Sequence, residues 1–390
     1  MSKPLRFFVS AGEASGDLHA GDLLREILRR EPSAQITFLG GDMMAAAVGH
    51  EPLIHYKEMA YMGFAEVLRH LPSIAKNLQT ARETIERERP DALILIDYPS
   101  FNLKLAKFAK KLGIKVFYYI APKVWAWKEW RVKQMRRYCD RVLSILPFEE
   151  TYFRCKGLEV QYVGNPSVAE VEARWAAMPT RAELNLRWGL DPNRPILAIV
   201  PGSRRGEIRN NLPHMVEAAL NFPQLQPVVS VAPGISREFF DTLGIEKLAH
   251  MPKVENATFP LMAHAEVALV TSGTASLECA LLGTPQVVCY RSNGKKWFYN
   301  LMSHVLTCPH VTLPNLVANG LEGERYANEI VPELLMHHCN AAEMTEHLRD
   351  ILPGAPGRQK MLDGYARMRA RLTDNSAPAT AAEAILSALK

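Results

Sequence analysis

Apolar runs of strand length alternate with amphipathic stretches of helical period along the first 165 residues. The short runs are Leu5–Ser10, Ile36–Leu39, Ala92–Asp97, Lys115–Ile120, Arg141–Leu146 and Val160–Val163. Between them, helical spacing of apolar positions marks Leu18–Arg30, Phe64–Arg89, Leu103–Leu112, Glu129–Tyr138 and Phe148–Cys155. Strands alternating with helices call for a parallel sheet with right-handed crossovers, covered on both sides. Gly164-Asn165-Pro166 closes the last strand, and no strand pattern returns before Ile196. Within that gap Thr180 and Glu183 have the spacing of a capping box, which opens a short helix. The alternation then resumes with strands at Ile196–Val200, Pro227–Val231, Glu266–Val270 and Gln286–Cys289, and helices at Glu207–Asn221, Ser236–Leu243 and Thr274–Leu282. Residues 341–390 carry helical patterns only. The pattern predicts an α/β protein of two doubly wound domains, residues 1–168 and 190–340, followed by helices 341–390 that pack back across the domains.

Composition narrows the class. The 390 residues are 48% hydrophobic and 22% charged, which excludes disorder as the main state. No repeat at a fixed period points to a solenoid or propeller. No apolar run reaches the length of a membrane-spanning helix, and the first residues lack the long apolar stretch of a signal peptide, so the chain reads as cytoplasmic. Six cysteines without a C-x-x-C pair suit reduced thiols. Twelve histidines without an H-E-x-x-H pattern give no metal motif.

Charge is concentrated rather than spread. The chain carries 46 Lys+Arg against 41 Asp+Glu, a net +5. Lys123–Arg141 alone holds seven bases (Lys123, Lys128, Arg131, Lys133, Arg136, Arg137, Arg141) against Glu129 and Asp140. Trp125, Trp127 and Trp130 are interleaved with them. Three readings compete: a solvated basic helix with its tryptophans turned inward, a nucleic-acid groove, and a surface for anionic lipid headgroups. No nucleic-acid-binding motif accompanies the segment, so no nucleic-acid partner is expected.

Three glycine-bearing turns fall where parallel strands end, the place at which open α/β sheets bind ligands. They are Ala11–Asp17, with Glu13, Ser15 and Gly16; Pro201–Glu207, with Arg204; and Thr271–Glu278, with Ser272, Gly273, Thr274, Ser276 and Glu278. None is a Walker A loop or a G-x-G-x-x-G, and each alone is as readily a capped strand–helix turn. Two such turns in the second domain, one carrying Arg204, favour a diphosphate pocket at helix N-termini there. Asp97 closes its strand just before Tyr98-Pro99, which suits either a general base or a cap on the following helix. Glu13 is a second carboxylate candidate. Phe64, Val67, Leu68 and Leu71 share one helical face, either core or a lipid-docking surface that Met62, Trp125 and Trp127 would extend.

Taken together, GEASGD (Gly12–Asp17), MGFAEVL (Met62–Leu68), LIDYPSFN (Leu95–Asn102), APKVWAWKEWR (Ala121–Arg131), PFE (Pro147–Glu149), PGSR (Pro201–Arg204), SGTASLE (Ser272–Glu278) and LPNL (Leu313–Leu316) resemble the lipid-A-disaccharide synthases. The resemblance implies a GT-B arrangement, two Rossmann-like domains with a cleft between them. It implies an inverting transfer of 2,3-diacylglucosamine from UDP to 2,3-diacylglucosamine 1-phosphate (lipid X), with β-1,6 linkage and release of UDP. The first domain then faces the acceptor and membrane, and the second binds the UDP-sugar. By the same resemblance Asp97 is the base, with Glu13 as the other catalytic candidate. Ser15, Gly16, Arg204, Ser272, Gly273, Thr274, Ser276, Glu278 and Asn315 are the binding residues. No cofactor and no metal are implied. The partners are the two lipid substrates and the cytoplasmic leaflet of the inner membrane, held peripherally; a homodimer is compatible with the resemblance. The rivals are a GT-B epimerase acting on UDP-N-acetylglucosamine and a non-enzymatic membrane binder. Asn165 stands where the family usually shows His.

Overall fold

The computed structural model describes residues 3–59, 71–126, 128–291, 310–321, 328–373 and 376–390. Two compact units emerge, residues 1–166 with 373–390, and residues 167–372.

The first unit is built on a seven-stranded parallel sheet: β1 (Arg6–Ala11), β2 (Gln35–Gly40), β3 (Ile54–His55), β4 (Ala92–Ile96), β5 (Lys115–Tyr119), β6 (Arg141–Ser144) and β7 (Gln161–Tyr162). Its order is β3-β2-β1-β4-β5-β6-β7. Side chains alternate across the pleat, so each apolar strand feeds two cores. Phe8, Leu93, Leu95, Val116 and Tyr118 face one side, packed with Ala81, Ile85, Leu105 and Ala109. Phe7, Val9, Ile94, Ile96, Phe117 and Tyr119 face the other, with Leu23, Leu24 and Ile27 from helix Ala14–Arg30. That second core also takes Ala381, Ile385 and Leu386 of the last helix, Ala377–Ser387, which packs along Ala14–Arg30. Truncating a side chain such as Leu95 to Ala should cost about 2–5 kcal/mol.

The second unit repeats the plan with six parallel strands: β8 (Ile196–Val200), β9 (Gln226–Val231), β10 (Lys253–Glu255), β11 (Ala265–Thr271), β12 (Gln286–Tyr290) and β13 (Glu333–Leu335), in the order β10-β9-β8-β11-β12-β13. Helices Ala341–Asp350 and Pro356–Arg371 belong to it. The capping box forms as the spacing predicts: Glu183 N–H donates to Thr180 Oγ1 at 3.3 Å, and Thr180 N–H to Glu183 Oε2 at 2.8 Å.

In both sheets the strand order therefore switches sides at one place, between β1 and β4 and between β8 and β11. A switch point leaves a crevice beyond the carboxyl ends of those two strands, because their crossover helices leave on opposite faces. The apolar pattern predicts ten of the thirteen strands; β3, β10 and β13, at sheet edges and two or three residues long, carry too little of it. The helix expected from Leu103 begins at Pro99, whose ring presets a first-turn φ. The expected helix Phe64–Arg89 is described from Leu71 onward, so its docking face at 64–70 and Met62 lie outside the described residues. Among the described residues no helix is long and apolar enough to cross a membrane.

Candidate functional site

At the first switch point the backbone leaves β4 under strain. Asp97 and Tyr98, neither a glycine, take left-handed φ values of 43° and 44° in succession. Such conformations cost of order 1–3 kcal/mol each and persist only where the surroundings over-determine them. Here they do. Asn102 Nδ2 donates to Asp97 O at 2.8 Å and Ile96 O at 3.1 Å, and its Oδ1 accepts from Ser10 Oγ at 2.8 Å. Tyr118 Oη also donates to Asp97 O, and Tyr98 Oη to Met59 O at 2.8 Å. The Tyr98 ring lies so close to Gly12 that a Cβ there would sit 2.3 Å from it, which explains the first glycine of the GEASGD turn. Asp97 does not cap the helix Pro99–Lys111, since Tyr98 is its N-cap residue. Burial raises the Asp97 carboxyl from its ordinary value, and the Lys123 ammonium and the Tyr98 N–H pull back against it.

The turn after β5 brings in residues that spacing did not single out. Glu149, fully buried, accepts from Trp125 Nε1 at 2.9 Å and contacts Ser144 Oγ. Ser144 also bonds Leu146 O, and it has one hydroxyl proton to give. A protonated Glu149 resolves the conflict by donating to Ser144 Oγ. Burial lifts this carboxyl to about 7, against the hydrogen bond from Trp125 and the charge of Lys123. Trp125 is thus interior, edge-on to Phe148 at 5.4 Å, and cannot be the membrane contact considered for it. A strongly apolar ring beside bases looks the same in sequence whether it turns in or out. Trp127 lies outside the described residues. Arg131, too, is buried, donating to Ser100 Oγ at 2.7 Å. The sequence signal for Glu149 was a carboxylate directly after the strand-ending Pro147-Phe148, at the same sheet end as Asp97.

In the Gly12–Asp17 turn, Glu13 is the half-buried N-cap residue of Ala14–Arg30 and Ser15 is exposed at that helix's first turn. Gly16 is buried, and a Cβ on it would meet Ala11 Cβ at 3.5 Å, an ordinary van der Waals contact. Asp17 is a structural carboxylate: it accepts from the N–H groups of Gly41, Met43 and Met44 at 2.6, 3.0 and 3.2 Å, capping the next helix, Asp42–Val48.

The second switch point is more open. Arg204 is the exposed N-cap residue of helix Arg205–Ala219, paired with Glu207 at 3.1 Å. Gly202 has φ 114°, and a Cβ on it would come within 2.7 Å of Glu207. Gly273 and Thr274 are exposed and Ser272 half-buried where helix Thr274–Leu281 begins. Ser276 is fully buried and donates to Gly273 O at 2.7 Å, so it shapes this turn instead of facing a ligand. Glu278 lies largely buried, 3.7 Å from Arg174; burial raises its carboxyl and Arg174 opposes the rise. Asn315 is fully buried with all its valences taken, donating to Val331 O and Glu333 Oε1 and accepting from Ile330 and Val331 N–H. The structure does not bring it among the ligand-facing groups; it braces β13. Asn165 is buried and donates to Ile145 O at 2.9 Å.

His310, Glu329 and Glu333 place ligand atoms within 4.8 Å of one another, the single such group among the described residues. Glu333 Oε1 already accepts from Thr312 N–H, Thr312 Oγ1 and Asn315, and Oε2 from Val311 N–H. That carboxylate is spent on the backbone.

Two parallel sheets of one order, each with glycine-bearing turns at its switch point, define the GT-B class of two-domain folds. The fold is shared with a glycosyltransferase of kitacinnamycin, at 14% identity and TM-score 0.62 over all of both chains. It is also shared with a UDP-N-acetylglucosamine 2-epimerase of Neisseria meningitidis bound to UDP-N-acetylglucosamine, at 12% identity and TM-score 0.58 over 99% of each. Residues 7–385 match the family described as Lipid-A-disaccharide synthetase. A lipid-A-disaccharide synthase of Myxococcus xanthus is 42% identical over 100% of this chain and 99% of its own length. One of Anaeromyxobacter dehalogenans is 35% identical over 99% and 98%. The chain belongs to the lipid-A-disaccharide synthase family and is a glycosyltransferase.

Proposed function

We propose a division of labour for the family's reaction, the inverting transfer of 2,3-diacylglucosamine from UDP to the 6-hydroxyl of lipid X. Asp97 takes the hydroxyl proton as the oxygen bonds to the anomeric carbon and the bond to UDP breaks. The observation that carries this role is the doubly left-handed turn that holds Asp97, partly desolvated, at the switch point of the first sheet. Glu13, half-buried at the same sheet end, is the second carboxylate candidate for the chemistry. In the second unit Arg204, Ser272 and the N–H groups at Gly273 and Thr274 meet the charge growing on the diphosphate, and Glu278 accepts from ribose hydroxyls. Ser15 and Gly16 present a second helix N-terminus to the acceptor phosphate.

Both substrates are acylated, so the reaction belongs at the cytoplasmic face of a membrane. The exposed bases Lys123, Lys133, Arg136, Arg137 and Arg141, with Trp130 at 58% exposure, support attachment through anionic headgroups. Incubating purified protein with UDP-2,3-diacylglucosamine and lipid X should yield the disaccharide 1-phosphate and UDP by mass spectrometry; hydrolysis or epimerisation of the nucleotide sugar alone would refute the reading. On anionic liposomes the protein should float at low salt and release at high salt, and salt-independent flotation would refute the headgroup attachment.

A further inference from the structure

We propose that Glu149 is a positioning residue for the reaction: through the Trp125 indole N–H it fixes the turn that presents Lys123 to Asp97. The inference rests on Asp97 being the base. The geometry is local to the first unit. Val124 and Trp125 are buried, so residues on both sides of the turn are anchored while Lys123 between them and Ala121 stays exposed. Ala121 N–H bonds Leu143 O at 3.2 Å, pinning the turn to β6, and Trp125 is pinned to Glu149 at 2.9 Å. Glu149 is itself fastened to the end of β6 by Ser144, whose Oγ accepts from Leu146 N–H at 3.0 Å. The turn follows β5 as Asp97 follows β4, on paired strands with Ile96 beside Tyr119, and Lys123 opposes the rise that burial gives both Asp97 and Glu149.

Among the described residues, the titratable groups facing Asp97, Glu149 and Lys123 are Tyr118, itself faced by Cys139 and Arg131, and Tyr152, itself faced by Glu129. Lysine lowers the proton affinity of a neighbouring carboxylate. A Lys123 held in place therefore pulls the Asp97 carboxyl back down against the rise that burial gives it. Glu149 needs no negative charge for this task, only an acceptor for the indole. Below about 7 it is the neutral acid.

The test is the acid limb of kcat/KM against pH, which reports the essential base of the free enzyme. Lys123→Met should move that limb up by about one pH unit. Glu149→Ala and Trp125→Phe should move it the same way, because each releases the turn. Glu149→Gln keeps an oxygen acceptor for the indole and should return the limb to its wild-type place. A purely structural Glu149 would lower kcat/KM equally at all pH values and leave the limb where it is. Superimposable limbs for wild type, Glu149→Ala and Trp125→Phe overturn the proposal, as does an unmoved limb in Lys123→Met. If Glu149→Ala does not fold, Trp125→Phe and Lys123→Met carry the decision. Asp97→Asn separates the two claims: an inactive variant with unmoved limbs in the others refutes the positioning role alone, whereas an active one refutes the base and the proposal with it.

Discussion

The two switch points share a topology and differ in almost everything else. At the first, Asp97 and Tyr98 are held in left-handed conformations, Gly12 is pressed against a tyrosine ring, Ser10, Asn102 and Tyr118 are joined by hydrogen bonds through the Asp97 carbonyl, and Glu149 is buried against Trp125 and Ser144. At the second, Arg204, Gly273 and Thr274 are exposed and a Cβ on Gly206 would meet nothing within 4 Å. The difference fits the tasks proposed for the two sites. A base must be desolvated and aimed to within a fraction of an ångström, which demands a packed and strained support. A diphosphate is met by backbone N–H groups and a cation that must be left accessible until it arrives.

The contrast can be broken by experiment. The largest effect is expected at Asp97: Asp97→Asn should lower kcat by roughly 10²–10⁴-fold while leaving UDP affinity within a few-fold. Near-normal turnover would remove the packed site's claim to chemistry.

Glu149 gives a stability signature next in size. Its folded value of about 7 exceeds the ordinary 4.5, so the folded chain holds a proton that the unfolded chain releases. The associated stability is fully present below about 4.5 and is lost as pH rises through about 7, about 3 kcal/mol in all. Denaturant unfolding of wild type against Glu149→Gln, which does not titrate, should therefore show the difference narrowing or reversing across that window. A pH-independent difference would contradict the buried neutral carboxyl.

Arg204→Ala removes a charged donor from the open site and should raise KM for the UDP-sugar about 10–100-fold, from about 1.5–3 kcal/mol, with the thermal midpoint nearly unchanged. An unaltered KM would take Arg204 out of the nucleotide site. The two glycines offer the most direct comparison. Gly12→Ala forces the Tyr98 ring to move and should destabilise by about 1–3 kcal/mol. Gly206→Ala, early in the helix Arg205–Ala219 with open space around it, should instead stabilise by about 0.4–1 kcal/mol. Equal responses would erase the distinction between a packed and an open switch point.

Apolar runs such as Ala92–Ile96 and Ile196–Val200 determined by themselves that this chain forms parallel sheets, because a strand apolar on both faces has nowhere to lie except between two helical layers. The turns after them were legible for the same reason, as were Asp97, Arg204 and the Ser272–Glu278 loop, whose place at strand ends needs only local order. What lay beyond the sequence was which way each polar or aromatic side chain turns. Asn315 and Ser276 stand in motifs beside candidate binding residues, yet both are fully buried, Asn315 bonded to Val331 and Glu333 and Ser276 to Gly273 O. Trp125 and Arg131 sit in a basic run that reads as surface, yet both pack inward against Glu149 and Ser100. The last helix joins the first unit's core across more than 340 residues of chain, through Ile385 and Leu386 against the helix Ala14–Arg30. Periodicity reports which face of an element is apolar; only tertiary packing decides what covers that face, and so which polar atoms remain free to meet a substrate.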